Sequence, residues 1–379
     1  MLFGRLVQGD WLYYVPTTDQ SVAPIKTPIL TWQGQLTHHQ KRASDRICQV
    51  IAQQQTHCLT AVTGAGKTEM LFAGIAFALQ QQQRVCLAAP RIDVCLELYP
   101  RLQAAFANQK IMLMYGQQSA PFEDTALVIC TTHQLLKFYR AFDTLIIDEV
   151  DAFPFVDDPI LASGVQQACQ PQCARLYLTA TPTKALQQAI QSQQMTASEL
   201  PLRYHGQLLP EPQCRVTRNW QQRLKQRRLP RCFLRDCTQA LKRQRLLIFV
   251  PQIKDLMPVK AALARAFPTE QVLTVHASDP QRQTKITAFR EMTANIMLAT
   301  TVLERGVTFQ NVAVLILGAD QPVFKAATLV QMAGRAGRQK ATADNPVYFY
   351  YQDYTVAIRH ACQQIKQQNR RGRVLQCDA

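Results

Sequence analysis

Long apolar runs are missing from this chain. The longest candidates, 246–250 and 312–317, have strand length, far short of the roughly 18 residues that cross a bilayer. A membrane-spanning segment is therefore not expected. The opening MLFGRLVQGDWLYYVP has no basic start followed by a continuous apolar stretch, so no secretory signal is expected either. The cytoplasm is the expected compartment, with any recruitment to the inner face of the membrane running through partner proteins. Cysteine is absent from residues 1–47, and the twelve cysteines further on include no C-x-x-C pair. The two loose pairs, Cys169 with Cys173 and Cys232 with Cys237, have no histidine at ligand spacing. They read as packing or surface thiols, and zinc is not expected. Charge is modest: 18% charged against 47% hydrophobic residues excludes a disordered chain.

What charge there is lies unevenly. Residues 1–200 carry 14 Lys and Arg against 15 Asp and Glu, whereas residues 201–379 carry 28 against 11. The whole net charge of +16 thus belongs to the second half. Such a field attracts a polyanion, of which a phosphate backbone is the commonest; alone, it equally fits a basic surface kept for solubility.

Short apolar runs alternate with helix-length stretches, the pattern of parallel α/β sheets. The first half offers strands at 58–62, 84–88, 127–130, 145–147 and 175–178. The second offers 246–250, 272–275, 296–299, 312–317 and 347–351. Two sets of five predict two similar α/β units. Between them, from Leu200 to Arg235, Pro201, Pro210, Pro212 and Pro230 argue for a linker or a domain edge. The same stretch holds Arg218, Arg223, Lys225, Arg227, Arg228, Arg231 and Arg235, either a basic helical face in water or a nucleic-acid contact.

Ala61-Val62-Thr63-Gly64-Ala65-Gly66-Lys67-Thr68 follows one predicted strand and precedes the helical run 70–79. This is the context of a phosphate-binding loop, in which glycines let backbone amides turn inward around a phosphate at a helix N-terminus. The usual first glycine is Ala61 here, but G-x-G-K-T is intact. Lys67 is placed for the β- and γ-phosphates and Thr68 for Mg²⁺. After the strand 145–147 come Asp148 and Glu149. A strand ending in two carboxylates delivers them to the sheet edge, Asp148 to hold Mg²⁺ through water and Glu149 to orient the attacking water.

Further on stand Thr179-Ala180-Thr181-Pro182, then Thr300 and Glu304-Arg305-Gly306-Val307-Thr308, then Gln331-Met332-Ala333-Gly334-Arg335-Ala336-Gly337-Arg338. Together with the phosphate loop and the acidic pair, these resemble motifs I, II, III, V and VI of superfamily 2 (DEAD/DEAH-type) helicases, over about Leu36 to Arg338. The wording TWQGQLTHHQKRAS, VTGAGKTEM, DEVDAFP, LTATPT, TTVLERGVTF and LVQMAGRAGR is most similar to the ComFA family of bacterial competence proteins. PriA and RecG are nearer cousins than the RNA helicases.

The resemblance implies a P-loop NTPase core of two tandem RecA-like domains with ATP and Mg²⁺ in the cleft between them. The expected division is an N-terminal segment 1–45, an ATP-binding domain 46–205 and a second domain 206–379. Gln40 is the expected adenine reader, with Thr63, Gly64, Ala65, Gly66, Lys67, Thr68 and Glu69 around the nucleotide. Thr179, Thr181 and Gln331 are the coupling residues. Arg91, Thr132, His276, Thr300 and Arg305 are the candidates for nucleic-acid contact.

Arg335 and Arg338 have a physical case of their own. Lys67 is one cation for a γ-phosphate in transfer, and an arginine finger adds roughly 10³–10⁵ in rate. Three apart, the two arginines would share a helix face. The family carries a four-cysteine zinc site ahead of the core, which residues 1–47 lack, and often an aspartate where this chain has Thr308.

The function expected is a nucleic-acid-stimulated ATPase that translocates on single-stranded DNA during transformation, with competence proteins as partners. RNA is the other candidate strand, because such a motor grips backbone. Two alternatives stand beside it. A PriA- or RecG-like helicase of repair or replication restart is weakened by the lack of their large N-terminal DNA-binding regions. An inactive nucleic-acid-binding module is opposed by Lys67, Asp148, Glu149, Arg335 and Arg338.

Overall fold

Every strand pairing among the described residues is parallel, which suits short apolar strands covered by helices on both faces. The structure, a computed structural model, describes residues 13–14, 25–116, 125–337 and 345–377. The chain divides into two compact units, Met1–Ala61 with Ala65–Leu200, and Val62–Gly64 with Pro201–Ala379.

In the first unit, strand β1 (Tyr13–Tyr14) pairs with β6 (Phe138–Tyr139). The main sheet contains β2 (Thr56–Ala61), β3 (Val85–Ala89), β4 (Ile111–Met114), β5 (Leu127–Thr131), β7 (Phe142–Ile147), β8 (Cys169–Thr179) and β9 (Thr196–Leu200). Their order is β4-β5-β3-β7-β8-β2-β9. The inner strands β3 and β5 are buried along their whole length.

Helix α1 (His38–Ala52) is started by a capping box. The Thr37 hydroxyl accepts from the Gln40 amide, and the Gln40 side chain accepts from the Thr37 amide. Its buried stripe of Ala43, Ile47, Val50 and Ile51 packs on α2 (Lys67–Gln80) across Gly74. A Cβ added there would stand 2.7 Å from Ile47 Cγ2 and 2.9 Å from Ile51 Cδ1. This close approach fixes α1, and with it Gln40, against the helix that begins at Lys67. Helices α3 (Ile92–Ala105), α4 (Pro159–Ala168) and α5 (Lys184–Gln191) complete this unit.

The second unit has β10 (Gln213–Val216), β11 (Arg245–Phe249), β12 (Val272–Val275), β13 (Ile296–Ala299), β14 (Val312–Leu317) and β15 (Val347–Tyr351) in the order β10-β15-β14-β11-β13-β12. Its helices are α6 (Trp220–Lys225), α7 (Arg231–Leu241), α8 (Ile253–Ala266), α9 (Arg282–Arg290), α10 (Ala326–Ala333) and α11 (Val356–Cys377). Trp220, Phe233, Ile248, Leu263, Leu315 and Tyr350 share one core.

The sheets hold seven and six strands where the sequence predicted five each. The additions β4, β9 and β10 are all sheet edges. TASEL and QCRV are mixed sequences of the kind that edge strands, which bury only part of their surface, tolerate, whereas IMLM is apolar throughout but only four residues long.

Of the two readings of the Leu200–Arg235 stretch, the domain edge agrees with the structure and the linker does not. It supplies β10 and α6 to the second unit. Asn369 of α11 both accepts from the Leu209 amide and donates to the Leu209 carbonyl, each at 2.9 Å. The division falls between Leu200 and Pro201, and α1 runs unbroken across residues 45 and 46.

Candidate active site

Strand β2 and helix α2 meet through the loop 62–66, and two glycines in it have left-handed backbones, Gly64 at φ 85° and Gly66 at φ 78°. Gly66 is the N-cap of α2, so the first-turn amides receive no side-chain cap and remain available to an anion. Gly66 is required twice over. Any Cβ there would carry the strain of positive φ and would stand 2.5 Å from Gln40 Nε2. That same Nε2 donates 2.8 Å to the Ala65 carbonyl. Gln40 is therefore fixed at both ends, by the Thr37 cap and by the loop.

Lys67 Nζ has one long contact, 3.4 Å to the Ala61 carbonyl, while Thr68 is buried beside it in the first turn. Glu69, expected near the nucleotide, forms an ion pair with Arg101.

Strand β7 ends at Ile147 and delivers Asp148, which is 8% exposed. Burial raises its carboxyl above the ordinary range. The Lys67 ammonium and the Glu149 amide, which donates 2.8 Å to Oδ1, pull in the opposite direction. A buried carboxylate facing an ammonium can take a divalent cation. With Thr68, the left-handed glycines and Lys67, the residues present fit a Mg²⁺–nucleoside triphosphate. Glu149 follows with φ 53°, a backbone strained for a non-glycine residue.

Asp151 ties this turn to the end of β8. It accepts from Thr179 Oγ1 at 2.7 Å and also from Thr181 Oγ1, while the Thr181 amide donates 2.9 Å to Thr179 Oγ1. The sequence pointed to Thr179 and Thr181 but not to Asp151 as their shared acceptor.

In the second unit Arg335 is 3% exposed. Its Nε donates 2.9 Å and its Nη2 2.7 Å to the Glu304 carbonyl, and Nη1 donates to the Val307 carbonyl. It also lies beyond the end of α10 at Ala333, so the helix face predicted for Arg335 and Arg338 does not exist at Arg335. The turn that follows contains Gly334, still right-handed at φ −63°, and Gly337, left-handed at φ 63°. Arg338 lies outside the described residues. Gln331 is buried on α10.

Arg203 is a residue that sequence reasoning missed. Deeply buried, it donates 2.7 Å to the Ala336 carbonyl, 3.2 Å to the Gly334 carbonyl and also to the Gly337 carbonyl. Burial lowers its guanidinium to about 10. One arginine in PLRYHG carries no local pattern to announce this.

The residues expected to touch nucleic acid are placed unevenly. Arg91 is the half-buried N-cap of α3. His276 is half-buried, with Nδ1 3.3 Å from Ser278 Oγ, and Thr300 is half-buried after β13. Thr132 and Arg305 do not present their side chains. Thr132 has no exposed surface, and Arg305, at 4%, lies 3.7 Å from Glu304 Oε1. Both side chains are buried within their own units. Cys169, Cys173 and Cys237 are buried and Cys232 half-buried, all as free thiols. Among the described residues no group of three or more His, Cys, Asp or Glu is placed to hold a metal, and no helix is long and apolar enough to cross a membrane.

Comparison with known proteins agrees with this geometry. Residues 33–184 match the model for the type III restriction enzyme res subunit, and 225–340 match the helicase conserved C-terminal domain. Over 378 residues the chain is 39% identical to competence protein ComFA of Bacillus subtilis (strain 168), covering 100% of this chain and 81% of the relative. Competence protein ComFA of Streptococcus pneumoniae (strain ATCC BAA-255 / R6) is 38% identical over 371 residues, 98% of this chain and 84% of that one. Among solved structures, S. cerevisiae Dbp5 bound to RNA and ADP BeF3 has a TM-score of 0.64 at 15% identity, over 86% of this chain and 87% of that one. A Dbp5 variant bound to Gle1 and IP6 has 0.60 at 16%, over 88% and 90%. At these identities the likeness is one of fold.

Proposed function

The chain belongs to the ComFA family of bacterial competence proteins, a helicase-type motor of superfamily 2, and on that premise we propose that it hydrolyses ATP to translocate along single-stranded DNA during DNA uptake. The observation that carries this reading is the loop at Gly66. Gln40, the left-handed glycines, Lys67 and the buried Asp148 converge there on a space suited to a triphosphate.

The unit that ends at Leu200 acts as the ATP-binding half and the unit from Pro201 onward as the second motor half. Gln40 reads the adenine edge, the amides of Thr63, Gly64, Ala65 and Gly66 hold phosphate oxygens, and Lys67 neutralises charge at the β- and γ-phosphates. When bound, Mg²⁺ supplies electrostatic stabilisation of the phosphoryl group in transfer. Thr68 and Asp148 are its holders. Glu149 orients the attacking water and takes its proton. Asp151 passes the state of this turn to Thr179 and Thr181.

Arg335 holds the 304–307 loop through its carbonyls, which leaves Arg338 as the arginine for the finger role. Arg91, His276 and Thr300 contact the strand backbone, and Arg203 keeps the 334–337 turn in shape. Competence proteins at the inner face of the membrane are the proposed partners.

The test is a strand-tracking assay. ATP-dependent displacement of streptavidin from one end of a biotinylated DNA oligonucleotide supports translocation. An RNA oligonucleotide in a parallel arm decides the strand. Displacement without ATP, or ATPase stimulated by RNA alone, overturns the reading.

A further inference from the structure

The basic stretch after β10 forms a defined surface. Arg218, Arg223, Arg227, Arg228 and Arg231, joined by Arg265 from α8, line one concavity of about 940 Å³ in the second unit. None of its fourteen lining residues is acidic. All six arginines are exposed, and among the described residues none of their side chains forms a hydrogen bond or ion pair. The neighbouring Arg215 and Arg235 behave otherwise, since both pair with the buried Asp236, at 3.6 and 3.3 Å. Carboxylate partners are thus present in this region but withheld from the concavity.

The fold holds these like charges together against their mutual repulsion. Trp220 and Leu224 of α6 are buried in the core, and Trp220 Cζ2 would stand 2.8 Å from a Cβ on Gly318, so the segment cannot simply swing away. After α6 the chain turns through Arg227 at φ 55°, a left-handed backbone unfavourable for a non-glycine residue. Leu229 and Ala262, both buried, line the same concavity.

Six exposed guanidinium forks with apolar side chains among them suit a ligand that alternates anionic and planar apolar parts. Guanidinium binds phosphate through paired N–H donors and stacks on bases. We propose that this concavity is a second strand-binding site, which grips consecutive phosphates of single-stranded nucleic acid through arginines outside every helicase motif. The proposal rests on the reading of the chain as a strand-binding motor only for the identity of the ligand. An acidic protein segment is the competing occupant.

The experiment uses the full chain without nucleotide and a labelled oligothymidylate, read by fluorescence anisotropy over a salt series. The cluster variant is Arg227→Ala/Arg228→Ala/Arg231→Ala. A control, Lys242→Ala/Arg243→Ala/Arg359→Ala, removes the same charge elsewhere on this unit. The cluster variant should lose at least about tenfold in affinity at low salt. Its log–log salt slope should fall by about 2, near 0.7 for each lost phosphate contact. The control should stay within about twofold of wild type. Equal losses in both variants would mean a diffuse field and overturn the site. Unchanged strand binding in the cluster variant also overturns it, as does strand binding displaced by polyglutamate but not by unlabelled DNA.

Should thermal unfolding show that the alanine variant is misfolded, the glutamine triple at the same positions is measured in its place. If wild-type protein binds strand through this site but its ATPase does not respond, the motor reading fails and the site stands. If the ATPase responds and the cluster variant binds as tightly as wild type, the site fails and the motor stands.

Discussion

The Thr179 hydroxyl donates a 2.7 Å hydrogen bond to Asp151, and Thr181 donates to the other oxygen of the same carboxylate. This pair of bonds joins the turn that carries Asp148 and Glu149 to the end of the neighbouring strand. Thr179 and Thr181 are both buried, so removing the acceptor strands two hydroxyls. Asp151→Ala should cost about 1–3 kcal/mol of stability. In a double-mutant cycle with Thr181→Val, the two losses should fall short of additivity by at least about 0.5 kcal/mol. Additive losses in denaturant melts would mean that the residues act independently.

Gly66 tests the proposed nucleotide loop. Gly66→Ala introduces both a strained positive φ and a contact 2.5 Å from Gln40 Nε2. It should abolish binding of a fluorescent ATP analogue. Gln40→Ala added to it should not restore binding, since it relieves the contact but leaves the backbone strain of roughly 1–2 kcal/mol and removes the proposed adenine reader. Full recovery in the double variant would show that the clash alone matters.

Arg335 separates a structural arginine from a purely catalytic one. Three of its nitrogens donate to the carbonyls of Glu304 and Val307. Arg335→Ala should therefore lower the stability of the second unit by about 2–4 kcal/mol. Arg335→Lys should rescue little, because one ammonium cannot reproduce the fork. Thermal melts of both variants matching wild type would contradict this role.

His57 gives the first unit a pH response. It has no exposed surface, and its Nδ1 lies 2.7 Å from the Thr196 hydroxyl. Burial, and secondarily the charge of Arg46, holds its imidazole down at about 4, against 6.5 unperturbed. As pH falls below the unfolded value, the unfolded chain takes up the proton first. Stability is complete above about pH 6.5 and declines toward pH 4, by about 3 kcal/mol in all. His57→Gln should flatten that part of the pH–stability profile. A profile as steep as wild type would assign the decline to other groups.

The inner strands were legible because continuous burial demands continuous apolar sequence, as in VCLAA of β3 and VAVLIL of β14. The turn at 62–66 was legible because positive φ, as at Gly64 and Gly66, demands glycine. β9 and β10 were not, since edges tolerate mixed sequence, and β4, apolar throughout, offers only four residues. Arg203, like the carbonyl partners of Arg335, was also hidden, because the groups they meet lie 131 and 31 residues away in the chain. Spacing can nominate an arginine without saying whether it meets a phosphate or a backbone oxygen.

The most direct measurement is the steady-state rate of phosphate release with and without saturating single-stranded DNA. Wild-type protein should hydrolyse ATP slowly alone and at least about tenfold faster with the strand, as a motor whose site is completed by its track requires. Lys67→Ala should abolish both rates, and Glu149→Gln should abolish turnover while ATP binding persists. No hydrolysis by the wild-type protein under either condition, or a rate that ignores the strand and survives Lys67→Ala, would contradict a strand-driven ATPase.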